Sequence, residues 1–549
     1  MPQRPLRPSL DGQQFDIVII GGGINGVAIA RQCALADRRV LLLEQHDFAA
    51  GTTSRSTRII HGGLRYLQHG ELGLVRESLR ERQRLLQERP HLVRPMNFVL
   101  AIPERGVSST SAMQVRLGLW LYRRLAGRAK LALPARTQSY RAEQWLDSGH
   151  GLAIFNYEDA QCEFPERLVA EWLGEALAAG AVARNHSEVL EVEVTGGRVR
   201  GVVFRDRLGD AEVTVTANWV INATGPWIDR ICGRSGVSTA VPLIGGVRGS
   251  HIVLSKFAGS PDTALYTEAV DGRPIFIIPW NGQLLAGTTE IPDNGDPAHS
   301  QPSDAEIEYL IDSVNRLFPS AQVSADQVHY VFAGIRPLPY KPDASPAGIS
   351  RKHILHDHRE DGAEGMISVI GGKLTTAAAL ARDCARRIGI PAEDPSPAVV
   401  LGSLCEGLEA TLADWSHTVA RISRTSAESA RAIAEWHGRR ALAIACMAGR
   451  DDALRQRLCP HSTHLVAEAV EAVHNECAVS LGDILLRRVP VALSASWSAE
   501  CSREAARQIA AVLGWSEKHL GSQLEQFEIE RSHFLKRPVR DGEIVSRPA

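Results

Sequence analysis

Lysine is scarce in this chain of 549 residues. Of 61 basic residues only seven are lysine, at positions 130, 256, 341, 352, 373, 518 and 536. Arginine supplies nearly all the generic surface charge, so a lysine placed inside a motif is informative. Net charge is scarce as well: 61 basic against 63 acidic residues leave −2, which gives no overall field to attract nucleic acid. The nine cysteines are scattered, odd in number and without a C-x-x-C spacing. That argues against a disulfide framework or a zinc site, and fits a reducing compartment with no metal. No run of 18 or more apolar residues occurs, and the start MPQRPLRPSLDGQQ is polar and proline-rich. The expectation is a protein without signal peptide or membrane span, cytoplasmic or lying on a membrane without crossing it. Internal repeats and low-complexity tracts are missing too.

What is present is ordinary globular material, 44% hydrophobic and 23% charged, which excludes wholesale disorder. At roughly 150 residues per domain the length predicts two to four domains. The run Phe15 to Ile20 reads as a strand buried on both faces, and Gly21-Gly22-Gly23-Ile24-Asn25-Gly26 follows it directly. Helix formers come next, then a second apolar run, Val40 to Leu43, that ends in Glu44. This is the strand, G-x-G-x-x-G, helix, strand, acid order of a dinucleotide cradle. Gly21 turns the chain, Gly23 admits a pyrophosphate at the helix N-terminus, Gly26 lets helix and strand pack closely, and Glu44 can hold a ribose diol.

Two later segments favour a flavin over a nicotinamide. VINATGPW (220–227) is a strand running into a small-residue turn around Ala223 and Gly225. MISVIGGKLTT (366–376) is a strand, a Gly371-Gly372 turn and a helix start at Lys373, Leu374 and Thr375. A late helix N-terminus can face the flavin pyrimidine, where charge develops on reduction. Between Glu44 and Arg65 the chain reads GTTSRS, with Thr52, Thr53, Ser54 and Ser56 able to donate to phosphates. The stretch IIHGGLRYL then places His61 before Gly62 and Gly63, glycines that would let a flat ring rest on bare backbone. With Asn25 from the cradle, these are the candidate cofactor residues.

In this order, GGGINGVAIA, TTSRSTRIIHGGLRYL, VINATGPWID, GSHIVL, IPW, GTTE, AGIRPL, SR and GGKLTT closely resemble the FAD-dependent, quinone-linked glycerol-3-phosphate dehydrogenases, from about Phe15 to Arg386. The C-terminal part resembles that family's helical cap, most clearly at HNECAVSLGDILLRR (474–488). The resemblance implies FAD, hydride transfer from C2 of glycerol 3-phosphate to flavin N5, and ubiquinone or another quinone as acceptor. It implies Arg65, Tyr66, Arg351 and Lys373 on the substrate phosphate, and His251 and Arg336 near the reacting carbon. Several arginine forks and a lysine are what a phosphate dianion needs in a partly dry pocket. His251 and His61 are the candidate bases; Arg336 is the candidate for stabilising the alkoxide, with water or His251 then taking the proton. Two departures stand out: Ala28 occupies a position usually glycine, and Glu163-Phe164-Pro165-Glu166-Arg167-Leu168 replaces an Asp-Asp-Ala-Arg-Leu pattern.

The expected architecture is α/β: a two-dinucleotide-type FAD-binding fold with an inserted antiparallel-sheet substrate domain and a C-terminal helical domain. Within 15–390, segments 15–100, 150–235 and 335–390 form the flavin unit and 236–334 the capping sheet. Helices follow over 400–549, after the proline-rich IPAEDPSPAVV. Met113 to Lys130 gives the route to a quinone. Met113, Leu117, Trp120, Leu121 and Leu125 share one helical face flanked by Arg116, Arg123 and Lys130, an interfacial pattern. Val115, Leu119 and Tyr122 make the opposite face apolar too, as in a helix packed on the protein body. Localisation is thus expected to be peripheral, on the cytoplasmic face of the inner membrane, and a homodimer is the association considered. Competing readings are a related flavin oxidase or dehydrogenase acting on another polyol phosphate or an amino or hydroxy acid, and a flavin-binding scaffold without turnover.

Overall fold

The computed structural model describes residues 7–103, 112–126, 146, 152–344, 348–392 and 408–535. The Gln14–Ile20 strand lies parallel between Val40–Leu43 and Ala211–Asn222. Val182–Arg184 extends the parallel set on one side and Met366–Ile370 on the other, and Ile354–Asp357 closes the edge antiparallel. These core strands are apolar throughout because helices Ile24–Ala34, Pro165–Ala178 and Ala377–Arg387 bury the face that a lone sheet would leave wet. The register decides where chemistry can happen. Ile20 pairs with Leu43 and with Asn222, and Ser368 pairs with Asn222. Gly21, Glu44, Ala223 and Gly371, each the next residues past a strand's carboxyl end, are therefore gathered at one end of the sheet, where open α/β sheets bind ligands.

The second sheet has nine strands and is mostly antiparallel. Its centre is the hairpin stack Ile244–Leu254, Gln283–Gly287, Pro274–Trp280 and Ala264–Glu268. The sheet is larger than the 236–334 expected from sequence. Ile59–Ile60, Val93–Pro103 and Leu152–Cys162 belong to it, and Val328–Pro339 runs past residue 334. The reason is partner choice: Val93–Pro103 pairs parallel with Ala264–Glu268, a contact across some 165 residues that no local pattern encodes.

Beyond residue 408 the described chain is helical, as expected, with Ser426, Ser498 and Ser516 each capping a helix N-terminus through the side chain. Among the described residues several buried ion pairs fasten this cap to the flavin unit, Arg487 with Asp47 among them. Arg167 binds Glu476 through two bonds of 2.8 and 3.0 Å, and Arg488 binds Asp47 through two of 2.8 Å. Removing one partner of such a pair leaves a buried charge alone, so the docking is specific.

Candidate active site

A cavity of about 660 Å³ opens at the carboxyl ends of the parallel strands. Gly21, Gly23 and Asn25 form its floor. Gly21 has φ +104°, and a Cβ at Gly26 would stand 1.9 Å from the Gly21 carbonyl oxygen, so strand and helix meet here only without side chains. Glu44 lines the wall, its carboxylate accepting from the amides of Gly22 (2.7 Å) and His46 (2.9 Å). Burial raises its pKa despite those two donors. Its remaining lone pairs are available to hydroxyl donors.

Thr52, Thr53 and Ser56 line the same cavity. Thr53 Oγ1 accepts from the Ile24 amide (3.1 Å), locking the loop to the helix start. Ser54 departs from expectation: its hydroxyl turns inward and donates to the Ala49 carbonyl, away from the cavity. Ala223, Gly225, Gly371, Gly372 and Leu374 are all in the lining, and Asn25 Nδ2 donates to the Gly371 carbonyl at 3.2 Å, joining the two turns. Thr375 stands one layer behind, where its Oγ1 accepts from the His61 amide at 3.2 Å.

At Gly62 and Gly63 the protein's own side chains also leave no room for a Cβ. A Cβ at Gly62 would lie 2.3 Å from the Tyr122 hydroxyl, and one at Gly63, with φ +77°, would lie 2.1 Å from the Tyr66 ring. Asp159 holds this corner: it accepts from the Gly62 amide (3.2 Å), from Tyr122 (2.8 Å) and from Arg82.

Beyond the flavin end of the cavity the structure gathers four cations. Lys373 lines the cavity, and so do Ile335 and Pro337 on either side of Arg336. Arg336 donates to Thr288 Oγ1 (3.0 Å) and the Thr289 carbonyl (3.3 Å); burial pushes its pKa down to about 10, with Arg351 and Arg65 adding repulsion. The position also depends on Gly249, where a Cβ would stand 2.5 Å from Arg336 Nη2. Arg351 Nη2 meets Glu290 Oε1 at 3.1 Å, whereas its Nη1 is buried without a partner. Lys373 donates to Ser78 Oγ (2.9 Å) and sits 4.6 Å over the Tyr66 ring; burial lowers its pKa to about 8. Tyr66 itself is pushed up to about 12 by burial, against the pull of Arg351, Arg65 and Arg336. Four cations gather here against the carboxylates of Glu290, Glu71 and Glu77, and with an orphaned Arg351 N–H among them the arrangement can take an anion.

The two histidines differ in setting. His251 is 2% exposed, its Nε2 lies 2.9 Å from Thr57 Oγ1, its ring stacks on Phe332, and its Nδ1 has no partner. Burial, helped by Arg336, pushes its pKa down to about 3. His61 is likewise held at about 3 by burial and by Lys373. Both rings are neutral at physiological pH.

Sequence reading missed several groups. Asp483, Arg487, Glu530 and His533 of the cap close the nucleotide end of the cavity, and only the LLRR segment hinted at them. Glu290 sat in a quoted motif without a role. The departing Glu163–Leu168 segment, conversely, is structural. Glu163 accepts from the Asn281 amide (2.6 Å), Glu166 binds Arg58 (3.0 Å) and Arg167 binds Glu476, so none of them faces the cavity.

A cradle closed to side chains, an acid at the second strand end and two further small-residue turns fit FAD. The model of the "FAD dependent oxidoreductase" family matches residues 16–387, and that of the "C-terminal domain of alpha-glycerophosphate oxidase" matches 369–520. This chain belongs to the glycerol-3-phosphate dehydrogenase branch of the FAD-dependent oxidoreductases. A glycerol-3-phosphate dehydrogenase of Synechocystis sp. is 36% identical over 539 residues, spanning 95% of this chain and 97% of that one. A D-erythritol 1-phosphate dehydrogenase of Brucella abortus is also 36% identical, over 67% of this chain and 72% of its own. In fold, the chain matches the FAD complex of a Bacillus halodurans glycerol-3-phosphate dehydrogenase with a TM-score of 0.75 at 24% identity, over 97% of both. FAD is the cofactor of this FAD-dependent oxidoreductase, and its helical cap is that of the branch.

Proposed function

We propose that this enzyme oxidises sn-glycerol 3-phosphate at C2 to dihydroxyacetone phosphate and passes the electrons to a membrane quinone. The observation that carries the reading is the four-cation cluster with the unpartnered Arg351 Nη1. A phosphate dianion offers acceptor oxygens to Arg65, to the unpartnered Arg351 Nη1 and to the remaining Lys373 donors, with Tyr66 as a further donor. Glu290, now paired to Arg351, is the group that a substrate phosphate has to displace or outcompete. FAD, when bound, supplies the hydride acceptor at its N5. Arg336 stays charged at physiological pH and is fixed by Thr288 and Thr289, so it stabilises negative charge developing on the C2 oxygen. The hydroxyl proton leaves to water or to the unpartnered Nδ1 of His251, whose charging burial and Arg336 oppose; Thr57 and Phe332 hold its ring in place.

The membrane reading rests on the Ala112–Ala126 helix. Met113, Leu117 and Trp120 are 80%, 64% and 59% exposed along one face, while Val115, Leu119 and Tyr122 on the other are buried against the body. Both faces expected from sequence therefore have a use: the inner one packs beside Gly62, and the outer one offers tryptophan and leucine to lipid with Arg116 and Arg123 exposed beside them. Lys130 lies outside the described residues. Among the described residues no helix is long and apolar enough to cross a membrane.

The test is anaerobic reduction of the purified yellow protein by a panel of compounds: glycerol 3-phosphate, erythritol 1-phosphate, glycerol, and an amino and a hydroxy acid. Rapid bleaching by glycerol 3-phosphate alone supports the reading. Faster bleaching by the four-carbon phosphate moves the substrate to a longer polyol phosphate on the same clamp, and bleaching only by an amino or hydroxy acid overturns it.

A further inference from the structure

At the opposite end of the flavin sheet lies a cluster the oxidation does not use. The Ile354–Asp357 strand turns back into Met366–Ile370, and the turn brings His356, His358 and Asp361 together. Asp361 Oδ2 stands 2.7 Å from His356 Nε2 and 2.8 Å from His358 Nδ1. The two rings are 4.6 Å apart at 75°, and the ligand atoms of all three residues lie within 4.8 Å of one another. Tetrahedral zinc with bonds of about 2.0–2.2 Å separates neighbouring ligand atoms by roughly 3.3 Å, so to admit an ion the Asp361 oxygen has to draw back from the two nitrogens by about half an ångström.

We propose that His356, His358 and Asp361 bind one divalent transition-metal ion of the zinc class. Two imidazoles with a carboxylate select such ions over magnesium or calcium, which prefer oxygen ligands throughout. Orientation is already provided: His358 is fully buried, and its Nε2 is tied to Ser368 Oγ at 2.7 Å, so Nδ1 faces the proposed ion. An outer hydrogen bond of this kind is what metal-ligating histidines use to fix ring and tautomer. The nearby arginines do not compete, because Arg387 is bonded to Asp357 (2.9 Å) and Arg359 faces Glu364 (3.7 Å). The His356 side chain is 32% exposed and that of Asp361 17%, leaving a path for the ion and room for a water as fourth ligand.

This site lies apart from the catalytic cavity. The five residues of Met366–Ile370 separate the turn from Gly371, roughly 17 Å along an extended strand. The ion would pin the hairpin whose second strand delivers Gly371, Gly372 and Lys373, which makes its role structural. Scattered cysteines gave no sign of it, because none of its ligands is a cysteine.

The experiment uses the FAD-loaded enzyme, stripped with a chelator, dialysed against zinc chloride and passed through gel filtration, with zinc then counted per chain. The expected result is about one zinc per chain in the wild type and close to none in His356→Gln and Asp361→Asn, with FAD content unchanged. Zinc should also raise the thermal midpoint of the wild type but not of either variant, and magnesium should raise neither. No zinc retained by the wild type would leave only a hydrogen-bonded His-Asp-His triad and overturn the proposal; so would full retention by the variants, or an equal effect of magnesium. If Asp361→Asn fails to fold, His356→Gln decides, since its side chain is a third exposed.

Discussion

Replacing Arg351 with alanine should separate phosphate recognition from hydride chemistry. The Arg351 side chain is 15% exposed, with Nη2 on Glu290 at 3.1 Å and Nη1 unpartnered, so it is a largely buried cation with donors in reserve. Leaving a buried phosphate oxygen without this partner costs on the order of 3 kcal/mol. That corresponds to about a hundredfold or more in kcat/KM for glycerol 3-phosphate. The variant also frees Glu290 to face the phosphate. Two unit charges about 4 Å apart at an effective dielectric of about 20 repel by roughly 4 kcal/mol, an upper bound for so partial a displacement. Accordingly Arg351→Ala with Glu290→Gln should recover roughly fivefold or more of what Arg351→Ala loses, and Glu290→Gln alone should lower KM. Unphosphorylated glycerol calibrates the measurement. It cannot sense the lost clamp, so its slow reduction of the flavin in anaerobic stopped flow should change by less than about threefold. Equal losses for glycerol and glycerol 3-phosphate would mean that Arg351 supports the fold or the cofactor, and the phosphate assignment would fail.

Glu44→Ala should leave the purified protein partly colourless, through loss of two charge-assisted hydrogen bonds of about 1.5–3 kcal/mol each; unchanged FAD content after dialysis counts against the ribose role. The pH profile tests Lys373. Its pKa is lowered to about 8, so its charge is present below that value and lost above it. Then kcat/KM for glycerol 3-phosphate should fall as pH rises through about 8, a limb that Lys373→Arg should move to higher pH, and an unmoved limb would assign it to another group. Asp47→Asn removes the carboxylate charge shared by buried Arg488 and Arg487 and replaces one acceptor with a donor, so a loss of about 3–5 kcal/mol in stability is expected, with FAD released as the cap loosens; a wild-type melting curve would show that the carboxylate is dispensable. Finally, Arg116→Glu with Arg123→Glu should abolish sedimentation with anionic vesicles at low salt while activity with a soluble dye persists. Sedimentation that survives in this double variant places the lipid contact on another surface.

Local chemistry made the flavin unit legible. The strand ending at Ile20, the turn at Gly21, the close packing at Gly26 and the acid at Glu44 are all dictated within thirty residues, because each is a short-range demand of backbone on backbone. The amphipathic reading of Met113 to Lys130 was equally local and places Val115, Leu119 and Tyr122 inward, although Leu125, expected on the outer face, packs against the core. What only the tertiary structure decided is everything that depends on partners far apart in the chain. Val93–Pro103 and Leu152–Cys162 could not be assigned to the second sheet from sequence, since an alternating strand does not name its neighbour. The glycines at 62 and 63 announced a close approach, but only packing showed that Tyr122 and Tyr66 crowd them. Glu290 gained its meaning from Arg351, sixty-one residues on, and Asp47 from Arg488, at a separation of 441. A side chain's type and exposure follow from its own stretch of sequence; the charge beside it, which sets its pKa and its chemistry, is set by which distant segment folds against it.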